Sequence, residues 1–519
     1  MKKDNSFLKA GAILVLSGFA VKVLSAAYRI PLTRMMGASL MGVYSSVLNV
    51  FMPFFAFATS GIIPAISRFT AQLAAKKDEG GIVYLKKQAQ NVYLCAAAAM
   101  TALYLVFSRF YSRYTGENVF WYGAVILAPC IVMASQEMVY KGLSQGRMKM
   151  HITAASNIME SITKTVVGIF GVYCVITNTD KFPVKLSVYA CLASVTVSAF
   201  VCLVYLTFSG REPLKKEKAK SRTTKRQLLS MSVPVSASAL VISFVNFFDT
   251  AFCLPLIKKL PYAEIVKSFG GASFMGADDV SMYLFGIYQG MVLTVFNLVP
   301  AVLASVGTAC LPVMARADST NDSKYLNRHS NRLFMVTAFI SIPASVYIFC
   351  FRSDIITFLF GTTQGQTVIA SQLIAVFIAV CPFACFVSAF NSVINSCGKS
   401  HVIFKILITA SLSRCVLSAV LASLPQINIK AFALSADVFY LMIFVLSWVY
   451  ISKLGVKINI TKVFVHPAAV SLAVMAAVKL TGFAQSGGMS VFLRLMLSGT
   501  VFCCGYIIIM YVTGFSVDI

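Results

Sequence analysis

Charged and polar side chains set inside long apolar runs are the places where this 519-residue chain has chemistry to offer. In the first run Lys22, Ser25 and Arg29 stand three and seven residues apart, which puts all three on one helix face. Further along, the stretch VNFFDTAF carries Asn246 and Asp249 on one face of another helix. Counted from comparable starts, Lys9 and Leu229, Arg29 and Asp249 each fall twenty residues in. Opposite charges at matched depths predict an ion pair that gates one side of the protein. A charge at bilayer depth costs about 2.5–3.5 kcal/mol on insertion scales, so it persists where a partner, a watery cavity or a ligand offsets the cost. Lys22 reads as cavity-lining; Arg29, nearer the outer interface, either lines the cavity or snorkels to headgroups. Asn49, Asn246, Gln289 and Asn297 have the same two uses open to intramembrane amides, binding a polar ligand or bonding between helices. Arg414 has no partner within its own helix and either pairs with Asp437 of the next run or lines the cavity. Glu137 with Lys141, and Glu160 with Lys164, have the i, i+4 spacing at which a Glu and a Lys neutralise each other, and read as structural pairs.

The elements that must position these residues follow from composition. With 58% hydrophobic and 12% charged residues, the chain lies far outside the range of a soluble globular protein. Apolar runs of about 20 residues, enough to cross hydrocarbon, recur near residues 8–28, 40–66, 89–108, 118–140, 152–177, 184–208, 230–256, 282–311, 333–350, 366–394, 401–423, 430–452, 461–480 and 490–512. The expectation is an all-α integral membrane protein of about fourteen spans. The first run carries Lys22 and leads straight into a second span, so it reads as retained and not as a cleaved signal. Basic loops stay on the cytoplasmic side. Placing both termini inside puts RFTAQLAAKKDEGGIVYLKK, YKGLSQGRMKMH, GREPLKKEKAKSRTTKRQ and ARADSTNDSKYLNRHSNR on that face. The net charge of +26 then reports topology and contact with anionic lipid more than nucleic-acid binding.

Nothing in the sequence resembles a phosphate-binding loop, a nucleophile elbow or a paired-carboxylate site. The 14 cysteines sit mostly in apolar runs, and neither Cys503 with Cys504 nor Cys381 with Cys385 has the neighbours a metal site needs. The chain reads as a non-enzyme without metal or cofactor.

The longest hydrophilic segment divides the spans six and eight. This gives a first lobe over 1–209, a basic cytoplasmic linker over 210–228, a second lobe over 229–452 and a terminal helix pair over 453–519. The two lobes carry matching anchors. GVY at Gly42–Tyr44 and PAISR at Pro64–Arg68 answer to GIY at Gly286–Tyr288 and PVMAR at Pro312–Arg316. The Gly-to-Pro distances are 22 and 26 residues, a difference of about one helical turn. GASLMG at Gly37–Gly42 and GASFMG at Gly271–Gly276 do not fit that register, and the first GAS reads as an outer turn. Six spans per lobe make the repeats parallel, with a central cavity between them that opens alternately to either face. That argues for a transporter ahead of a channel, since no span offers a repeated filter-like backbone segment. More fixed cations than anions in the cavity suit an anionic cargo such as a diphosphate, whereas a cation exporter would display acids.

The segment AVKVLSAAYRIPLTRMMGASLMGVYSSVLNVFMPFFAFATSGIIPAISRFTAQ resembles the opening of the stage V sporulation protein B and MurJ-type lipid II flippase family, within a superfamily that includes multidrug extrusion pumps. VNFFDT and GIYQGMVLTVFNLVPAVLASVGTACLPVMA extend the likeness into both lobes. The resemblance implies a flippase fold with two six-helix lobes and a terminal pair that accommodates a lipid tail. It implies transfer of an undecaprenyl-diphosphate-linked glycan from the inner to the outer leaflet of the bacterial plasma membrane, by a protein acting as a monomer. Lys22 falls where that family places a cation in helix 1, and Arg29 where the sporulation-type branch carries an R-x-P arginine. The arginines that MurJ-type proteins add in helices 2 and 8 have no counterpart in NVFMPFFAFATSG or YQGMVLTVFNLVP. The alternative is a cation-coupled multidrug exporter. Membrane potential or a cation would drive either, and the sequence assigns no coupling residue.

Overall fold

A segment crossing hydrocarbon must satisfy its own backbone, which leaves apolar runs of this length one outcome, the α-helix. A computed structural model describes residues 2–180, 182–209, 225–270, 279–319, 323–480 and 490–513, with side chains from residue 16 onward apart from 305, 308, 309, 311–319, 323–325 and 400. Within these limits every regular element is helical. Most of the expected linker, the GASFMG segment and the side chains of PVMAR lie outside the described residues.

Thirteen helical segments among the described residues are long and apolar enough to cross a membrane. The first covers 60 residues, Leu16–Ala75, about 90 Å at the helical rise, three times the hydrocarbon thickness. It therefore supplies two crossings, in agreement with about fourteen. The break comes inside α1 (Lys2–Thr59) at Gly37, with φ 74° and ψ 175°, a backbone region essentially closed to other residues. The turn expected at GAS is this kink. A Cβ added at Gly37 would meet nothing within 4 Å, so the demand for glycine is conformational and not steric. Gly37→Ala is expected to lower stability by about 1–3 kcal/mol, read as a lower thermal midpoint in detergent; an unchanged midpoint would mean that the kink relaxes without strain.

The chain forms two compact units, Met1–Phe252 and Cys253–Ile519. In the first, α1 is followed by α2 (Ile62–Ala75), α3 (Glu79–Thr115), α4 (Val119–Gly146), α5 (Met150–Thr177) and α6 (Leu186–Ser209), of which α3 to α6 pack on α1. α5 packs on α1 and α6, and α4 on α2 and α3. Small residues permit the close approaches: a Cβ at Gly142 or Gly146 of α4 would fall 2.8 Å from Ile66 and 2.5 Å from Thr70 of α2. α7 (Lys225–Phe248) ends in a π-turn, Asp249–Cys253. It belongs with the first unit, whereas the sequence places residues 229–252 in the second lobe. Leu228 is buried in one core with Ile62, Ile66, Leu85 and Tyr93. The hydrophilic linker thus marks a gap in hydrophobicity and not the packing boundary.

The second unit holds the short helices α8 (Leu254–Lys258), α9 (Tyr262–Ser268) and α10 (Val280–Gly286), a π-turn at Ile287–Val292, then α11 (Leu293–Ser319), α12 (Ser323–Cys350), α13 (Arg352–Phe360), α14 (Gln364–Phe377), α15 (Cys381–Ser396), α16 (Ser400–Ala422), α17 (Lys430–Lys453), α18 (His466–Leu480) and α19 (Val491–Val512). Asp279 caps α10 by accepting from the amides of Ser281 and Met282 at 3.0 and 3.2 Å and pairs with Lys258 at 2.8 Å. The terminal helices pack on α12 through Val470, Val474, Phe502 and Tyr506 against Phe339, Val346 and Tyr347. Arg494 of α19 reaches Asp354 of α13 at 3.6 Å.

Candidate functional site

The α1 face expected to carry chemistry divides in the structure. Lys22 is half-buried, while Ser25 is exposed and its hydroxyl donates to the Val21 carbonyl at 2.8 Å. Arg29 is half-buried. It interacts electrostatically with Tyr28, with Tyr44 of the GVY anchor and with Lys164 of α5, and its buried Nε makes no hydrogen bond. Gly168 allows this approach, because a Cβ there would lie 2.7 Å from the Tyr28 ring. One helical turn earlier, Lys164 Nζ stands over the same ring at 5.4 Å. Lys164 thus stands over the ring of Tyr28, the neighbour of Arg29 in α1, and Arg29 acts on it electrostatically; among the described residues neither cation has a carboxylate within ion-pair distance. Such a pair repels unless an anion sits between or beside its members.

Lys164 is the site residue the sequence misassigned. The expected Glu160–Lys164 pair is not formed at ion-pair distance; Glu160 instead accepts from Lys141 of α4 at 3.3 Å, and Lys141 also pairs with Glu137 at 2.5 Å. Competition across the α4–α5 interface overrides the local i, i+4 pairing. Glu137 is fully buried, and the Cys202 thiol of α6 donates to its Oε1 at 2.9 Å. Glu137, Glu160 and Cys202 bring metal-ligand atoms within 4.8 Å of one another, but Lys141 already supplies the cation at that point.

Asn49 bonds between helices. Its Nδ2 donates to Thr250 Oγ1 at 3.0 Å, Thr250 Oγ1 donates to the Asn246 carbonyl at 3.0 Å, and Tyr111 of α3 donates to the Thr250 carbonyl at 3.3 Å. The side chain of Asn246 is exposed, whereas Asp249 is buried in the π-turn. Sequence periodicity assumes regular winding and missed this turn, a distortion frequent at functional positions. No ion pair joins Arg29 to Asp249 in this structure.

In the second unit Gln289 is buried within the π-turn Ile287–Val292, and Asn297 of α11 is exposed. Arg414 of α16 lies over the Phe439 ring of α17 at 5.6 Å and attracts Asp437, whose buried Oδ1 makes no hydrogen bond. The cross-helix partnership expected for Arg414 and Asp437 is therefore electrostatic, short of a contact ion pair.

Against this geometry, comparisons with known proteins are informative. Stage V sporulation protein B of Bacillus subtilis (strain 168) is 22% identical over 449 residues, covering 83% of this chain and 80% of that protein. Lipid II flippase MurJ of the same organism is 22% identical over 381 residues, 69% of this chain and 67% of that protein. Among solved structures, a lipid II flippase MurJ in an inward closed conformation aligns with a TM-score of 0.70 at 13% identity, covering 97% of this chain and 98% of that one. An inward-facing multidrug resistance MATE transporter of the MOP superfamily aligns at 0.65 and 14% identity, covering 86% and 98%. The MatE profile matches residues 289–420. The profile of the polysaccharide biosynthesis proteins matches residues 7–318, more than half of the chain. The chain is a multi-pass membrane protein of the flippase and transporter superfamily to which MurJ and the multidrug pumps belong, and a member of the polysaccharide biosynthesis protein family.

Proposed function

We propose that this protein is a flippase that carries a polyprenyl-diphosphate-linked glycan, a lipid II-like or related cell-envelope precursor, from the inner to the outer leaflet by alternating access. The observation that carries the reading is Lys164 over the Tyr28 ring with Arg29 acting on it electrostatically, two membrane-embedded cations that among the described residues have no carboxylate at ion-pair distance. A diphosphate supplies the missing negative charge and accepts charge-assisted hydrogen bonds from both. Lys22, on the same helix, extends the basic face toward the opposite end of the span. The likeness to proteins named as a lipid II flippase and a sporulation protein supports the same cargo class. Termini on the cytoplasmic side and a monomeric carrier complete the proposal.

A multidrug exporter is favoured by the MatE match over residues 289–420, and the basic character of the α1–α5 site speaks against it. The deciding experiment is complementation in a bacterium depleted of its lipid II flippase, scored by precursor in the outer leaflet. Rescue by the wild-type chain, lost with Lys22→Ala or Arg29→Ala, is expected. Failure to rescue together with acquired resistance to cationic drugs would replace this reading with the exporter.

A further inference from the structure

One charged cluster in the first unit has no part in the cargo site. Glu137 and Lys141 of α4 and Glu160 of α5 lie within the membrane-crossing lengths of their helices, about 9, 5 and 10 residues from the α4–α5 turn and hence up to about 15 Å in. Glu137 and Lys141 are 0% and 2% exposed. A structural salt bridge would balance its charges, but two carboxylates share this one ammonium. Cys202 satisfies Glu137 Oε1, and Oε2 of the same carboxylate is buried without any hydrogen bond. A buried carboxylate oxygen lacking a donor, in a cluster carrying one negative charge too many, is a place where a proton binds.

The groups around the cluster can be named element by element. α4 contributes Cys130 and Lys141, α5 Glu160 and Lys164, and α6 Cys202. At this level α2 presents Ile66 against Gly142, and α3 presents the Gln90 carbonyl to Gln136. Beyond Glu160, Lys164 attracts it electrostatically from one turn along α5, and Arg29 of α1 acts in turn on Lys164. Acids and bases therefore alternate from the proton-accepting cluster to the pair of cations assigned to cargo.

We propose that Glu137, Lys141 and Glu160 form a proton-binding site of the carrier, and that an anion held by Arg29 and Lys164 draws a proton from water onto it. The second half rests on the function proposed above. An anion beside Lys164 offsets the positive charge that faces the cluster, so the cluster takes up a proton; release of the anion restores that charge and returns the proton to water. Cargo movement and proton movement are linked through Lys164, with no contact between the proton and the cargo.

The test is an infrared titration of the protonated-carboxyl stretch in the intact purified protein. Wild type is expected to show a titrating carboxyl signal that is lost in Glu137→Gln and diminished in Glu160→Gln, substitutions that keep side-chain volume. Lys164→Gln, with no ligand present, should raise the midpoint by roughly one pH unit, a tenfold rise in proton affinity. Farnesyl diphosphate added to wild type should shift it in the same direction, and should have no such effect on Lys164→Gln. A titration unaltered by Glu137→Gln and Glu160→Gln overturns the proton site. A midpoint that Lys164→Gln leaves in place overturns the coupling. A midpoint that moves with Lys164→Gln but not with farnesyl diphosphate leaves the proton site standing and overturns the diphosphate reading of the cargo.

Discussion

Lys164→Met is expected to weaken binding of a polyprenyl diphosphate by roughly 10- to 100-fold, the range set by losing one hydrogen bond between charged groups worth about 1.5–3 kcal/mol. Arg29→Met should cost about as much. Lys164 and Arg29 act on one anion, so the double variant should lose less than the sum of the single losses. The stability of the unliganded protein is what separates a cargo site from a structural one. Lys164 stands near Arg29, which repels it, and has no contacting carboxylate among the described residues. Replacing it by an apolar side chain of similar length removes a desolvated charge and the repulsion by Arg29 together with the attraction to Glu160, so the terms offset and the thermal midpoint should change little. Titration calorimetry with a short-chain diphosphate, paired with thermal unfolding, gives both numbers. A fall in stability with unchanged binding would assign Lys164 to holding α1 against α5 through Tyr28.

Much of this architecture is visible in the residues alone, and the limits of that reading are physical. The number of crossings follows from hydropathy, since hydrocarbon thickness fixes helix length, and Gly37 announces its own turn in the GAS motif. Pairings across helices are another matter. Glu160 and Lys164 satisfy the local rule for an ion pair, yet the side chains are partitioned between α4 and α1 instead. A one-dimensional spacing has no term for a competing lysine on another helix. Arg29 and Asp249 fall at matched counts from their helix starts, but a count does not give azimuth, and no ion pair joins them. The π-turn at Asp249–Cys253 shifts the phase of every residue after it, and before it Asn246 is exposed where Asp249 is buried, so the two do not share one environment. Asn49, by contrast, bonds between helices, the commoner of its two expected uses.

Gly61→Leu is expected to abolish transport, because a side chain there has no room while α7 rests on α2. A Cβ at Gly61 would stand 2.0 Å from the Ser232 carbonyl oxygen and 2.7 Å from its carbon. Both are backbone atoms, so no rotamer change relieves the clash; α7 itself must move. The Gly61 amide also donates to Ser236 Oγ at 3.1 Å, and Arg68 reaches Met231 Sδ at 4.0 Å, so the contact runs along more than one turn. At its other end α7 is tied to α1 and α3 through Thr250, Asn49 and Tyr111. A wedge at Gly61 should therefore tilt α7 about that tied end and separate its first turns from α2. Overpacking of this kind costs about 1–3 kcal/mol, so the protein should remain folded but be held away from the seated arrangement. Ser236→Ala, which removes one hydrogen bond and adds no bulk, should lose about 1 kcal/mol or less of stability and keep most of the transport. Ser232 is buried, so a Ser232→Cys thiol should resist a soluble maleimide in the native background and react readily when Gly61→Leu is added, with mass spectrometry resolving it from the 14 native cysteines. If the thiol stays protected and transport persists, α7 yields to the wedge without leaving α2, and the contact is a fixed seam of the first unit. If it reacts and transport stops, the seam opens and closes in each cycle, and Gly61 is the residue that lets it close.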